Sequence, residues 1–156
     1  MSQEIPLSES DRKLLRLLQN DLSLSKQELA ERVGMSTSTL WRRQTELEEL
    51  GLIKRRVALV DPDRAGMPIC VFVSVNMANH EKKDRIAFER FVADTPEILE
   101  CYSVTGAHDY MMIVRTGSVA DFQTFLMTKI LGHPAVATAS SQIALGTQKY
   151  TTEIPV

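Results

Sequence analysis

The sequence predicts an α+β fold made of two successive units: a helix-turn-helix of three short helices, then a ferredoxin-like βαββαβ run of strands and helices. Three observations carry this reading. Apolar residues recur at helical spacing from Leu7 to Ile53, the spacing switches to alternation at Ile69, and the Pro- and Gly-containing stretch "LVDPDRAGMP" separates the two regimes. The expected division is a helical domain at 1–58, a linker at 59–68 and a second domain at 69–156.

The first helix follows from Leu14, Leu15, Leu17 and Leu18, and "SESD" opens it with Ser8 as N-cap and Asp11 three residues on. The second repeats the device with Ser25 and Glu28 in "SKQE", then carries Leu29 and Val33. Gly34 and Gly51 stand where helix ends turn left-handed. Between them, a helix from Thr37 to Leu50 at about 100° per residue puts Leu40, Gln44 and Leu47 on one side and Ser38, Arg42, Thr45 and Glu46 on the other. In the second domain, Ile69, Val71, Val73, Val75 and Met77 alternate as a half-buried strand, and helical spacing returns through Ile86, Phe88, Phe91 and Val92. Two strand-like runs, "ILECYSVT" and "YMMIVRT", flank the short "GAHD". A helix through Val119, Phe122, Phe125, Leu126 and Ile130 stops at "GHP", and "AVATASSQIAL" supplies the last strand.

Composition bounds the function. With 44% hydrophobic and 24% charged residues in 156, the chain has the makeup of a soluble globular protein. A net charge of -2 and a pI near 5.9 exclude a globally basic nucleic-acid binder. Residues 1–66 hold eleven basic and eleven acidic side chains, so any DNA binding must rest on clustered charge. No apolar run approaches the roughly 20 residues that span a bilayer, and "MSQEIPLSES" lacks a signal-peptide layout; a cytoplasmic protein without a membrane partner is expected. Cys70 and Cys101 stand apart in apolar runs, as buried free thiols do, and His80, His108 and His133 are scattered, so neither metal nor cofactor is expected. No nucleophile motif or phosphate loop occurs, and the adjacent His108, Asp109 and Tyr110 alternate faces on a strand, so an enzyme is not expected.

The hydroxyl-rich start of the third helix has a use. Ser36 caps it, while Thr37, Ser38 and Thr39 lie where the first turn of an inserted helix meets phosphates or base edges. Arg42 projects furthest from the core, suited to the edge of a guanine, and Glu46 to a cytosine; the alternative is a simple i, i+4 ion pair between them. Arg43 lies beside Arg42, and Lys54, Arg55 and Arg56 cluster just past the helix. Trp41 either packs on the preceding helix, the favoured placement, or lies along the sugar-phosphate backbone. A preceding helix, a tight turn and this cationic cluster make a helix-turn-helix suited to double-stranded DNA.

The N-terminal run "LSESDRKLLRLLQNDLSLSKQELAERVGMSTSTLWRRQTELEELGLI", with "ECYSVTGAHDYMMIV" and the closing "TTEIP", resembles the leucine-responsive and asparagine regulator (Lrp/AsnC) family of transcription factors over nearly the whole chain. The resemblance implies a winged-helix-like DNA-binding domain that reads a pseudo-palindromic operator. It also implies an effector domain that pairs through its sheet into homodimers, commonly assembles into octamers, and binds amino acids or related metabolites at its interfaces. The chain departs from the family at Thr37, where a proline is usual, at Gln44, usually aliphatic, and at Thr45 and Glu46, usually basic. By residue chemistry alone, Gly106 to Asp109 is a hairpin connection that needs no ligand. The resemblance adds Gly106 and Asp109, with neighbouring Thr105 and Tyr110, as an amino-acid site. There, loop N–H groups donate to a carboxylate and Asp109 pairs with an ammonium. Ser140, Ser141 and Gln142 on the last strand are further candidates at the same interface. The rival readings are an amino-acid-sensing module whose helices bind a protein partner, and a small dimeric α+β enzyme.

Overall fold

Serine followed three residues later by an acid opens two of the three N-terminal helices. These are α1 (Glu9–Asn20), α2 (Lys26–Val33) and α3 (Thr37–Glu49) in a computed structural model that describes residues 5–156. Residues 1–4 of the expected helical domain lie outside the described residues. Ser8 and Ser25 each accept the backbone N–H three residues on, and Asp11 and Glu28 return the bond to the serine N–H. α2 stops at Gly34, whose φ of +80° suits a residue without Cβ, and the Met35 N–H returns to the Ala30 carbonyl at 2.9 Å. The turn delivers Ser36, whose hydroxyl accepts the Thr39 N–H at 3.2 Å and starts α3. Leu14, Leu15, Leu29, Ala30, Val33, Leu40 and Leu47 bury against one another. Residues 54–60 then run on with no helix or strand assigned.

One buried carboxylate joins α1 to α3. Asp11, 1% exposed, accepts the Ser8 N–H at 2.8 Å and the Ser8 hydroxyl at 2.7 Å, and receives Arg43 Nε at 2.6 Å and Nη2 at 2.8 Å. The Arg43 guanidinium holds the Asp11 carboxyl down at about 2, against the opposing effect of burial.

The chain divides into two compact units, whose bounds differ from the expected ones at both ends of the second domain. Residues 149–156, assigned above to the second domain, cluster with the helices. Gln19 grips the Ile154 backbone from both sides, accepting its N–H at 2.7 Å and donating to its carbonyl at 3.2 Å; Arg16 donates to the Val156 carbonyl at 2.7 Å. Residues 59–68, expected as a linker, fold with the second unit. Asp61 accepts the N–H groups of Asp63 and Arg64 at 3.0 and 3.2 Å, a local turn, and Arg115 donates to the Met67 carbonyl at 3.3 Å.

The second unit contains β1 (Ile69–Met77), α4 (Lys82–Ala93), β2 (Ile98–Ser103), β3 (Tyr110–Thr116), α5 (Val119–Phe125) and β4 (Val136–Ile143). All strand pairs are antiparallel in the order β2-β3-β1-β4, the ferredoxin-like arrangement. Because strand side chains alternate, Val71, Val73, Val75, Met112 and Val114 face a core shared with Phe88, Phe122 and Phe125 of the helices. Phe72, Met111 and Tyr102 remain exposed. The last helix differs from a plain α-helix: Leu126–Ile130 is a π segment, closed by the Leu131 N–H on the Leu126 carbonyl at 2.8 Å. A Cβ on Gly132 would sit 2.3 Å from the Thr128 carbonyl oxygen, so only glycine fits there. No helix among the described residues is long and apolar enough to cross a membrane.

Asp11→Asn removes the buried counter-charge of Arg43, leaving it Glu46 alone, and should cost the helical unit about 2–3 kcal/mol, seen as an earlier urea transition in far-UV circular dichroism. Because the folded carboxyl titrates near 2 and the unfolded one near 3.8, the pair's stabilisation is complete above the unfolded value and is lost as pH falls from there towards 2. The acid limb of the stability curve should be shallower in the variant.

Candidate functional site

The helical unit presents one side of α3 to solvent. Ser36, Thr37, Ser38 and Thr39 are all exposed at its start. The Ser36 hydroxyl shares hydrogen bonds with Ser38 at 3.1 Å and Thr39 at 2.8 Å, which fixes the hydroxyl cluster in place. Arg42 is exposed and makes no ion pair among the described residues. Its neighbour behaves differently. Arg43 is half-buried, bound to Asp11 and, at 2.8 Å, to Glu46. The pairing weighed for Glu46 was with Arg42 at i, i+4; the structure makes it with Arg43 at i, i+3. Trp41 does meet the preceding helix, through the Lys26 ammonium 4.1 Å from its ring centroid, yet stays 55% exposed. Past the helix Lys54, Arg55 and Arg56 are exposed; Arg56 bonds Glu48, whereas Lys54 and Arg55 have no ion pair among the described residues.

In the second unit the loop between β2 and β3 turns at Gly106, φ +113°. Thr105 is exposed there. Asp109 already has a partner: its Oδ2 accepts the Met77 N–H at 2.8 Å, where the β1–β4 register shifts between Asn76 and Met77. Its Oδ1 lies 3.9 Å from His80 Nδ1, beyond hydrogen-bonding reach. Tyr110 points away from the loop. It is 7% exposed, packs on Phe88 at 4.8 Å between ring centroids, and aims its hydroxyl at Glu89 at 3.4 Å; burial, then the Glu89 charge, raise its pKa. The sheet separates the last three candidates. Ser140 lies opposite Ser74, and Gln142 opposite Phe72, on the open face, whereas Ser141 lies opposite Val73 on the helix-covered face.

Two histidines set aside on sequence grounds stand at this loop. His108, half-buried, keeps a buried Nδ1 with no hydrogen-bond partner among the described residues, an orphan that a native site rarely carries. His80 faces Asp109 from the segment after β1. The available signal was adjacency: His108 sits directly between the turn glycine's neighbour Ala107 and Asp109. The thiols also differ from expectation, for both are half-buried; burial first, then the Glu89 charge, pushes Cys101 up to about 11.

Comparison with known proteins follows the two units. Residues 70–154 match the family model described as the Lrp/AsnC ligand binding domain, and residues 7–54 match the winged helix-turn-helix DNA-binding model. The chain is 34% identical over 150 residues to the Escherichia coli DNA-binding transcriptional activator DecR, covering 96% of this chain and 99% of that protein. It is similar to a Neisseria meningitidis transcriptional regulator solved as its L-Met complex, at 32% identity and a TM-score of 0.92, over 96% of this chain and 97% of the other. An AsnC family regulator from Agrobacterium tumefaciens is 38% identical with a TM-score of 0.90, over 96% and 97% of the two chains.

Asp109→Ala strands the Met77 N–H at the register shift and should destabilise the second unit by about 1–3 kcal/mol. Asp109→Asn, which keeps an acceptor, should lose much less; equal losses in thermal melts of the two variants would remove the hydrogen bond as the cause.

Proposed function

The chain belongs to the Lrp/AsnC family of transcriptional regulators, and from that membership we propose that it reads a pseudo-palindromic operator as a homo-oligomer, at least a dimer and of octameric order in the family manner. An amino acid sets its assembly or its affinity for DNA. The observation that carries the DNA half is the state of Arg42. Its guanidinium projects from a helix whose opposite side, Leu40, Gln44 and Leu47, is buried, and no acid among the described residues competes for it. A free fork of that kind fits a guanine edge in the major groove. Ser38, Thr39, Lys54 and Arg55 supply the neighbouring phosphate contacts, and Arg43 acts by holding α3 to α1. Two such helices must enter successive grooves about 34–36 Å apart, which requires a dimer.

For the effector, an amino acid is the ligand class that the Neisseria regulator's L-Met complex supports. In this chain Asp109 Oδ1 is the oxygen left for an α-ammonium and His108 Nδ1 the polar atom left for a second contact. Gly106 lets the loop backbone approach a carboxylate. The open sheet face supports the pairing. Phe72 is 40%, Met111 41% and Tyr102 57% exposed, adjoining across β1, β3 and β2, and an apolar row of this kind on the uncovered side of a sheet is suited to a second copy.

The test is binding of the purified protein to the promoter DNA flanking its own gene, at several salt concentrations, with and without a panel of amino acids. Sequence-preferring, salt-sensitive binding that one amino acid shifts is expected, and Arg42→Ala should lose about 1–3 kcal/mol of sequence preference with the fold intact. Indifference to sequence under every condition would instead make α3 a protein-docking surface. On the open sheet, Met111→Arg should convert the oligomer to smaller species in sedimentation velocity runs; an unchanged profile would move the interface elsewhere.

A further inference from the structure

Lys26 is the first residue of α2, and its ammonium stands 4.1 Å from the centroid of the Trp41 ring on α3. Both side chains are exposed. Lys26 forms no ion pair among the described residues, so the aromatic face is its described electrostatic partner. On its other side Trp41 joins Arg42, Thr45, Glu46 and Glu49 in lining a shallow open groove along α3. The ring quadrupole gives an exposed ammonium only a small attraction, but it fixes the position of an otherwise mobile charge beside the helix that carries Arg42.

We propose that Lys26 and Trp41 form a phosphate clasp: the Lys26 ammonium, steered by the indole, neutralises one backbone phosphate of the strand bordering the groove that α3 enters, and the indole covers the adjoining sugar. The assignment rests on the reading of α3 as the DNA-contacting helix. In a helix-turn-helix the helix before the reading helix crosses the backbone, which is where the first residue of α2 stands relative to α3. A lysine is a point charge suited to phosphate, without the fork that reads a base, so the clasp contributes affinity and register but no sequence preference.

Trp41 is the only tryptophan in the chain, so intrinsic fluorescence reports this site alone. The experiment titrates the full chain with a duplex of its own promoter and with a random duplex, between about 50 and 200 mM salt, reading Trp41 emission and the dissociation constant. Emission should change on binding. Lys26→Met should flatten the log-log salt slope by about 0.9 per bound subunit, one phosphate each and so about 1.8 for a dimer, with equal loss on both duplexes. Lys26→Arg should restore the slope, and Lys26→Gln serves if the Met variant loses its helical circular dichroism. An unchanged slope in the charge-removing variant, with wild type binding salt-sensitively, overturns the clasp alone. Loss confined to the promoter duplex also overturns it, since that is base reading. Wild-type binding without salt dependence or sequence preference overturns the DNA reading and the clasp together.

Discussion

Asp11 accepts two hydrogen bonds from Ser8 at the head of α1 and two from Arg43 in the middle of α3, and the orientation of the helical unit follows from that one carboxylate. A bidentate guanidinium–carboxylate pair tolerates little rotation, because both forks must stay coplanar. With Arg43 turned inward, the 100° step of the helix carries Arg42 to solvent and keeps Leu40 and Leu47 in the core. A one-residue rotation of α3 would break the pair and leave Asp11 as an uncompensated buried charge, a loss of about 3–5 kcal/mol. The solvent-facing row of α3 is therefore set by a contact on its hidden side.

Local signals were legible. Ser8 with Asp11, Ser25 with Glu28, and the glycines at 34 and 51 mark helix ends because a cap bonds within three residues, and the structure has each of them. The alternation from Val71 to Met77 marks the covered face of β1 because successive strand side chains point to opposite faces. What the pattern does not encode is which polar groups meet across sequence distance. Helical phase sets Arg42 outward, but only the fold places Asp11, 32 residues away, against Arg43. The docking of the chain end on Gln19, 135 residues away, and the Asp109 bond to Met77 were invisible likewise. The π segment of the last helix was missed because Phe122, Phe125, Leu126 and Ile130 keep a helical apolar spacing up to the glycine that relieves it.

Asp109 divides its carboxylate between a structural bond and an open oxygen. Its Oδ2 closes the irregular end of β1, and its Oδ1 is left without a hydrogen bond. A cationic group drawn to Oδ1 would share the carboxylate's charge with the Met77 N–H, so its binding would be linked in energy to the geometry of the β1–β4 register shift. A ligand alters an assembly only to the extent that it binds one arrangement better than another. Met77, whose N–H donates to Asp109 Oδ2, lies on the strand that also carries the exposed Phe72.

Electrostatic balance posed the sharpest objection to a DNA-binding role, since acids and bases are equal in number over residues 1–66. Counting treats every charge as available, and the structure does not. Arg43 alone engages both Asp11 and Glu46, and Arg56 engages Glu48. Glu28 accepts the Ser25 N–H, and Asp21 the Ser23 N–H and hydroxyl, hydrogen bonds that lower both pKa values. Of the acids on α3, Glu46 and Glu48 are thus engaged by Arg43 and Arg56 while Glu49 makes no ion pair, and Arg42, Lys26, Lys54 and Arg55 likewise carry none among the described residues. Close internal pairs are screened less by salt than exposed free charges. An overall charge of zero over residues 1–66 is therefore compatible with a locally positive surface.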